Sequence, residues 1–98
     1  MPTFVTLTKL SPEALKRPQS AEDLGRQVTQ KIHQEVPQAK WIGSYALLGP
    51  YDYLDIFEVP NEELAQKVTL LIRSFGHATT ETWVATPWDR YLSLVRDL

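Results

Sequence analysis

The stretch KWIGSYALLGPYDYLDIFEV, residues 40–59, decides the fold of this chain. Both ends of the stretch are rich in aromatic and aliphatic residues, as is typical of β-strands. We predict strands over Lys40–Leu48 and Tyr53–Val59. The segment between them, Gly49–Asp52, has the residues of a turn, because glycine gives backbone freedom, proline fixes φ and aspartate bonds backbone N–H groups. Strands so close in sequence should pair as an antiparallel hairpin.

A strand and a helix are predicted before this hairpin. Thr3–Lys9 alternates in the manner of a strand, and residues 10–19 form a connection with room for one short helical turn. A helix is expected over Ala21–Glu35, with Ser20 as its N-cap, and it must end before Pro37. Its apolar stripe follows four-residue steps at Leu24, Val28, Ile32 and Val36.

A second helix and a fourth strand are predicted after the hairpin. Asn61 has the side chain of an N-cap, and Gly76 is placed as a C-terminal cap. The strand covers Thr79–Ala85, and a short terminal helix capped by Thr86 reaches about Asp97. The apolar positions of the second helix follow helical spacing at Leu64, Val68, Leu71, Ile72 and Phe75.

The order of these elements predicts an α+β fold. Strand–helix–strand–strand–helix–strand, with right-handed crossovers and short connections, gives the ferredoxin-like βαββαβ arrangement. It consists of an antiparallel sheet with both main helices on one face, followed here by a short C-terminal helix. A chain of 98 residues is one domain's length, so we expect a single domain over residues 1–98.

The amino-acid composition excludes several classes of function. Ten basic and twelve acidic side chains give a net charge of −2, which argues against a nucleic-acid partner or an anionic membrane surface. No apolar run is long enough for a membrane span. The chain has no cysteine, so disulfides and thiolate chemistry are excluded. The first residues lack the pattern of a secretory signal, and we expect a cytoplasmic protein.

Both faces of the predicted sheet carry large apolar side chains. One side of the second strand has Trp41, Tyr45 and Leu47, and the other has Ile42, Ala46 and Leu48; the third strand has Leu54 and Ile56 opposite Tyr53, Phe57 and Val59. A sheet with helices on one face should be polar on the other. We therefore expect a homodimer or higher homo-oligomer in which two sheets pack face to face. The alternative is that the terminal helix folds back over the sheet of its own chain.

The chain resembles the GYD domain family, small bacterial and archaeal proteins named for a Gly-x-Tyr-Asp motif. The matching segments are PTFVTLTKL (2–10), YALLGPYD (45–52), FEVPNEE (57–63) and TTETW (79–83), so the similarity covers nearly the whole chain. The resemblance implies a ferredoxin-like fold of the dimeric α/β-barrel type and brings no established activity. Members of the family often carry glycine where this chain has Ala14, which leaves the role of the loop after the first strand open.

Five residues are candidates for ligand binding: Tyr45, Tyr51, Asp52, Asp55 and Trp83. Tyr51 and Asp52 either serve the turn itself or border a pocket, where Asp52 would accept a hydrogen bond from a ligand or partner subunit. Asp55 interrupts an apolar strand. If it is buried, its pKa should rise unless Lys or Arg reaches it, and it becomes a candidate for acid–base work. Otherwise it lies at an edge or rim in contact with water. Tyr45 and Trp83 either line a cleft or belong to the core.

The sequence contains no recognisable catalytic or cofactor motif. Its four glycines form neither a phosphate-binding loop nor a dinucleotide fingerprint. His33 and His77 are isolated, and without paired-histidine spacing we expect no metal and no cofactor.

Three functions follow as hypotheses. The leading one is a small homo-oligomeric binding or regulatory domain that holds an apolar or aromatic small molecule, or a protein partner, beside the sheet. The second is an enzyme similar to cofactor-independent monooxygenases or isomerases of the dimeric α/β-barrel kind, with Tyr45, Tyr51, Asp55 and His77 as candidates for proton transfer. The third is a purely structural assembly module, which predicts no cavity of ligand size.

Overall fold

Four strands and four α-helices follow one another in the order that the sequence predicts. The computed structural model describes residues 1–98. The strands are β1 (Thr3–Leu10), β2 (Lys40–Ala46), β3 (Tyr53–Glu58) and β4 (Ala78–Ala85), and the helices are α1 (Pro12–Leu15), α2 (Ala21–Glu35), α3 (Glu62–Arg73) and α4 (Trp88–Arg96), with a 3₁₀ turn over Pro18–Ser20. The longest helix, α2, has 15 residues, and none of the helices is long and apolar enough to cross a membrane.

The strands form one antiparallel sheet in the order β2-β3-β1-β4. This order places β1 between β3 and β4, as the ferredoxin-like fold requires, and the predicted fold class is confirmed. Phe4 of β1 lies opposite Phe57 of β3 and Val84 of β4, so these three side chains share one face. Helices α2 and α3 cover this face, which we call the helix face. We call the other side of the sheet the open face.

The core lies between α3 and the middle of the sheet. Phe57 is completely buried, and its ring stacks between Phe4, with 5.9 Å between ring centroids, and Trp41, with 5.0 Å. The other buried apolar side chains are Val59 after β3, Ala65 and Val68 of α3, and Ile32 and Val36 at the end of α2. Removal of these side chains from water supplies the main stabilising free energy of the fold.

Threonine hydroxyls join α3 to the sheet beside this core. Thr69 of α3 donates to the carbonyl of Ala65 and lies 2.6 Å from the hydroxyl of Thr82, which lies 2.9 Å from that of Thr6. Thr6 and Thr69 are buried, and these bonds satisfy their hydroxyls. The Oδ1 atom of Asn61 accepts from the amide of Leu64 at 3.0 Å, which confirms Asn61 as the N-cap of α3.

Ser20 occupies the predicted N-cap position of α2 but makes no capping bond, and the predicted cap at Thr86 is wrong. Ser20 has helical dihedrals, φ −82° and ψ −7°, because the 3₁₀ turn runs directly into α2. Its hydroxyl therefore donates backwards to the carbonyl of Arg17 and caps no amide. Helix α4 takes Pro87, with φ −53° and ψ 142°, as its N-cap in place of Thr86. Gly76 has φ +77°, a left-handed conformation suited to glycine, and it ends the turn that follows α3.

A β-bulge in β2 changes which side chains share a face. Trp41 pairs with Phe57 and Gly43 pairs with Ile56, so Ile42 is an extra residue without a partner in β3. Beyond the bulge the alternation is reversed. Trp41 thus lies on the helix face, whereas Tyr45 lies on the open face, and the predicted placement of these two residues on one side is wrong.

The terminal helix stands apart from the rest of the chain. No residue of α4 is buried, and α4 packs extensively against no other element. The alternative in which this helix folds back over its own sheet is therefore not observed. Of its apolar residues at helical spacing, Trp88, Tyr91 and Val95 are exposed and Leu92 is partly buried.

Candidate functional site

A cavity of about 870 Å³ opens between α2 and the β2–β3 half of the helix face. It exists because α2 buries only Ile32, in its last turn, while Val28 packs against the core with part of its side chain still exposed. Nearer its N-terminus, Leu24 and Val28 are only partly buried and form one wall of the cavity. The opposite wall is the sheet, including Trp41, Ser44, Ala46, Tyr53 and Asp55, and residues of the α1 segment and Phe75 also line the cavity, which is partly open.

Asp55 is the carboxylate on the sheet wall of this cavity. It pairs with Thr6 of β1 and Ser44 of β2, which fixes it on the helix face and inside the sheet instead of at an edge. Ser44 Oγ donates to Asp55 Oδ1 at 2.6 Å and accepts from Trp41 Nε1 at 2.8 Å. This chain of hydrogen bonds depends on the bulge, because regular alternation would place Trp41 and Ser44 on opposite faces.

Burial raises the pKa of Asp55 above its ordinary value of 3.8, although the hydrogen bonds from Ser44 and Trp41 act in the opposite direction. No lysine or arginine forms a salt bridge with this carboxylate. The direction agrees with the expectation for a buried aspartate that no cation reaches. Ser44 occupies Oδ1, and Oδ2 accepts no hydrogen bond from the chain. Asp55 thus presents an unused acceptor to the cavity.

Asp52 also borders the cavity, but its hydrogen bonds are structural. Its Oδ2 accepts from the amide of Leu10 at 2.8 Å, and its own amide donates to the carbonyl of Thr8 at 2.8 Å. The carbonyl of Asp52 accepts from the amide of Leu47, also at 2.8 Å. The aspartate of the GPYD segment therefore ties the hairpin connection to the end of β1, 42 residues away in sequence.

The three aromatic candidates lie on or over the open face. The ring of Tyr45 lies over Gly43, where an added Cβ would come within 3.2 Å of it, so this glycine permits a close approach. Trp83 faces the same side and is 56% exposed. Tyr51 Oη donates to Glu81 of β4 at 2.5 Å. This bond, with desolvation and the negative charge of Glu81, raises the pKa of Tyr51 above 10.0.

The structure thus divides the five predicted ligand residues between two surfaces. Asp52 and Asp55 border the cavity on the helix face, while Tyr51 and Trp83 belong to the open face. Tyr45 touches the border of the cavity, but its ring lies on the open side. Sequence reasoning missed Trp41 and Ser44, because nothing in the residue pattern signals the bulge that brings them to Asp55.

The two histidines lie at the rim of the cavity and remain exposed. His33 belongs to α2, and His77 precedes β4, so they approach the cavity from different elements. No group of three or more His, Cys, Asp and Glu side chains is arranged to hold a metal ion.

The open face and α4 are the second notable surface. Val5, Leu54, Ile56, Tyr45 and Trp83 lie around Leu7 on the open face; Leu7 is buried, and Val5, Leu54 and Ile56 are partly buried. Tyr45 is 58% exposed, and on α4 Trp88 is 70% exposed. Contiguous apolar surface of this kind marks sites of interaction on a folded protein.

Comparison with known proteins gives three consistent results. The chain is 26% identical over 87 residues to a Thermus thermophilus protein named glutamine synthetase and cystathionine beta-lyase binding protein, covering 89% of this chain and 90% of that protein. It is similar to the crystal structure of TTHA0845, also from Thermus thermophilus, with a TM-score of 0.61, 25% identity, and coverage of 89% of this chain and 95% of the other. A de novo designed protein with a ferredoxin fold matches at a TM-score of 0.59 and 18% identity, with coverage of 90% and 88%.

The family comparison agrees with these results. The model of the GYD domain matches residues 4–95, which span the whole sheet, the helices that cover it and nearly all of α4. Because this match covers almost the entire length of the sequence, the chain belongs to the GYD domain family.

Proposed function

We propose that this chain is a small homo-oligomeric binding domain with a regulatory role. In this proposal its macromolecular partners are proteins, and its cavity holds a small apolar or aromatic ligand. The observation that carries the proposal is the unpartnered apolar surface formed by the open face and α4, on a chain whose relative is named as a protein that binds two enzymes. Surfaces of this kind need a cover in water.

A second copy of the chain is the proposed cover of the open face. Two open faces placed together would bury Val5, Leu54, Ile56 and Trp83 in a symmetric contact, in which each copy supplies the same patch. Helix α4 supports this arrangement because none of its residues is buried and most of its apolar side chains are exposed within one chain. In a pair of chains, α4 would reach the neighbouring copy.

Protein partners are proposed from the relative's printed name. By this analogy the assembled oligomer would bind glutamine synthetase, cystathionine beta-lyase or a similar enzyme of the same cell. Trp, Tyr and Met are the side chains that interfaces favour, and Trp88 and Tyr91 of α4, whose rings stack 5.3 Å apart, provide an exposed aromatic anchor for such a contact.

Sedimentation at micromolar protein tests the oligomer. We expect the wild-type chain to sediment as a dimer or larger species. Trp83→Glu should shift it toward the monomer, because a charge would be buried in the contact. Val84→Glu is the matched control, since Val84 is its neighbour, is 63% exposed and points to the helix face. A wild-type chain that remains a monomer would overturn this part of the proposal.

A titration tests the protein partners. The fluorescently labelled chain is mixed with purified glutamine synthetase or cystathionine beta-lyase, and anisotropy is followed. The expected result is binding to at least one enzyme, weakened by Trp88→Ala and unchanged by Glu63→Gln, which alters an exposed residue of α3. No binding to either enzyme would refute the partner assignment while leaving the oligomer intact.

An enzyme is the second candidate, and one observation favours it. Asp55 combines a raised pKa with an open oxygen in a cavity of about 870 Å³, a combination typical of acid–base groups. The volume of this cavity also counts against a purely structural module, for which no space of ligand size is expected. If a substrate is found, Asp55→Asn should abolish turnover without changing the sedimentation of the protein.

A further inference from the structure

We propose that the cavity under α2 binds an amine: an apolar or aromatic molecule whose protonated nitrogen donates to Asp55 Oδ2. This inference rests on the ligand-binding part of the proposed function and names the chemical class of the ligand. Three observations support it: the free oxygen of Asp55, the balance of charge around the cavity, and its shape and lining.

Asp55 is the first observation. A half-buried carboxylate is costly unless a cation or enough donors compensate its charge. Here the donors are the hydroxyl of Ser44, bonded to Oδ1, and Trp41 Nε1–H behind it, and no cation forms a salt bridge with the carboxylate. The hydroxyl of Ser44 is held in this role because it also accepts from Trp41 Nε1. Asp55 Oδ2 therefore accepts no hydrogen bond from the chain. A ligand with an N–H group would supply the missing donor.

Charge is the second observation. The residues around the cavity include three carboxylates, Glu22, Asp52 and Asp55, against one guanidinium, Arg17. Glu22 is partly neutralised by Arg26, and Asp52 is occupied by the amide of Leu10. The cavity thus favours a cation and disfavours a carboxylate.

The apolar lining is the third observation. Leu24, Val28 and Ile32 of α2 face Trp41 and Ala46 across the space, so the body of the ligand would meet hydrocarbon and an indole ring. A volume of about 870 Å³ lies within the range of small-molecule sites and accommodates one or two rings. An apolar body with one charged nitrogen matches walls that are mostly apolar and carry Asp55 on the sheet side.

Calorimetric titration of the full chain at pH 7.5 tests the proposal with three probes of similar shape: 2-phenylethylamine, 2-phenylethanol and 3-phenylpropionate. We expect the amine to bind about tenfold more tightly than the alcohol, the gain typical of a charge-assisted hydrogen bond, and the acid to bind least. This comparison uses only the wild-type protein, so it does not depend on any variant folding.

Variants locate the site. Asp55→Asn should reduce the affinity for the amine to that for the alcohol, while Glu63→Gln, which removes an exposed carboxylate of α3 far from the cavity, should leave it unchanged. Val28→Trp should weaken the binding of both the amine and the alcohol, because the added indole ring occupies space in the cavity.

Two results would overturn the inference in different ways. Equal affinity for amine and alcohol would refute amine recognition but retain a cavity that binds apolar ligands. No binding of any probe at millimolar concentration would refute both the inference and the ligand part of the proposed function. The sedimentation experiment would then decide separately whether the oligomer remains, and the anisotropy titration whether the protein partners do.

Discussion

The two helices that cover the sheet differ in how closely they approach it. Helix α3 buries Ala65, Val68 and Thr69, its hydroxyl bonds tie it to the sheet, and the cavity beside it measures only about 400 Å³. Helix α2 buries only Ile32, and its N-terminal half stands over a cavity of about 870 Å³. Both helices are amphipathic, so the difference does not lie in their apolar stripes.

What separates the two halves is the side chains on the sheet beneath the helices. Under α3 the sheet presents Phe4, Thr6 and Thr82, which are small or flat enough for the helix to pack closely. Under α2 it presents Trp41, Ser44 and Asp55, a ring and a half-buried carboxylate that a close-packed helix could not cover without cost. The α3 half of the domain is thus packed closely, whereas the α2 half leaves space that a small molecule could enter.

The largest loss in the free energy of unfolding is expected for a change in the aromatic stack of Phe4, Phe57 and Trp41, which lies between the two halves. Phe57→Ala removes a fully buried ring from between Phe4 and Trp41. We expect the free energy of unfolding to fall by about 3–5 kcal/mol, the usual cost of such a cavity. Urea denaturation followed by tryptophan fluorescence measures it. A loss below about 1 kcal/mol would show that the stack is not the centre of the core.

A matched pair of valines compares the two helices directly. Val68→Ala in α3 should cost about 2 kcal/mol, because its side chain is fully buried. Val28→Ala in α2 should cost less than about 1 kcal/mol, since that side chain already faces open space. The same urea titrations apply. Equal losses at both positions would contradict a loosely packed α2.

The N-terminal residues of α3 and α2 should differ by a smaller amount in their contribution to the free energy of unfolding. Asn61→Ala should reduce the free energy of unfolding by about 1 kcal/mol, because it removes the bond from the amide of Leu64 to Asn61 Oδ1. Ser20→Ala should change it by no more than about 0.5 kcal/mol, as Ser20 caps no amide of α2. Thermal unfolding followed by circular dichroism would distinguish them, and a larger loss at Ser20 would refute the observed geometry.

The smallest effect is a dependence on pH at Asp55. The pKa of Asp55 is higher in the folded protein than its ordinary value of 3.8. At pH values between 3.8 and the folded-state pKa, the folded protein therefore binds this proton more tightly than the unfolded chain does. Stability contributed by this group therefore falls as pH rises through that window. Asp55→Asn lacks the ionisable group, and its stability relative to wild type should increase from about pH 3 to pH 7.

Urea titrations of Asp55→Asn at several pH values measure this trend. Glu63→Gln serves as the control, because it removes an exposed carboxylate of α3. A difference between Asp55→Asn and wild type that stays constant or shrinks with rising pH would argue against a carboxyl group destabilised by burial.

Local signals predicted most of the fold. The apolar spacing of Leu64 and Val68, the cap at Asn61 and the alternation of β1 depend on neighbours in sequence, and each is confirmed. Ser20 has the residue type of a cap but does not act as one, because Pro18 begins a 3₁₀ turn that places Ser20 in a helical conformation.

The candidate site was less accessible to sequence reasoning. Asp55 is conspicuous as a charge within an apolar strand, and the pattern alone singled it out. Its partners Trp41 and Ser44 are three residues apart, and only the bulge at Ile42 brings them to one face. The bond from Leu10 to Asp52 likewise depends on the pairing of β1 with β3, which no local pattern specifies.

The bulge in β2 has a further consequence for the outer rim of the sheet. As a border strand, β2 carries a row of N–H and C=O groups that a foreign polypeptide could use to extend the sheet into a filament. The extra residue at Ile42, directly after Trp41, interrupts the regular spacing of these groups. An incoming strand could not continue its hydrogen bonds to β2 past this point. The irregularity that prepares the Asp55 site thereby also discourages open-ended aggregation along this side.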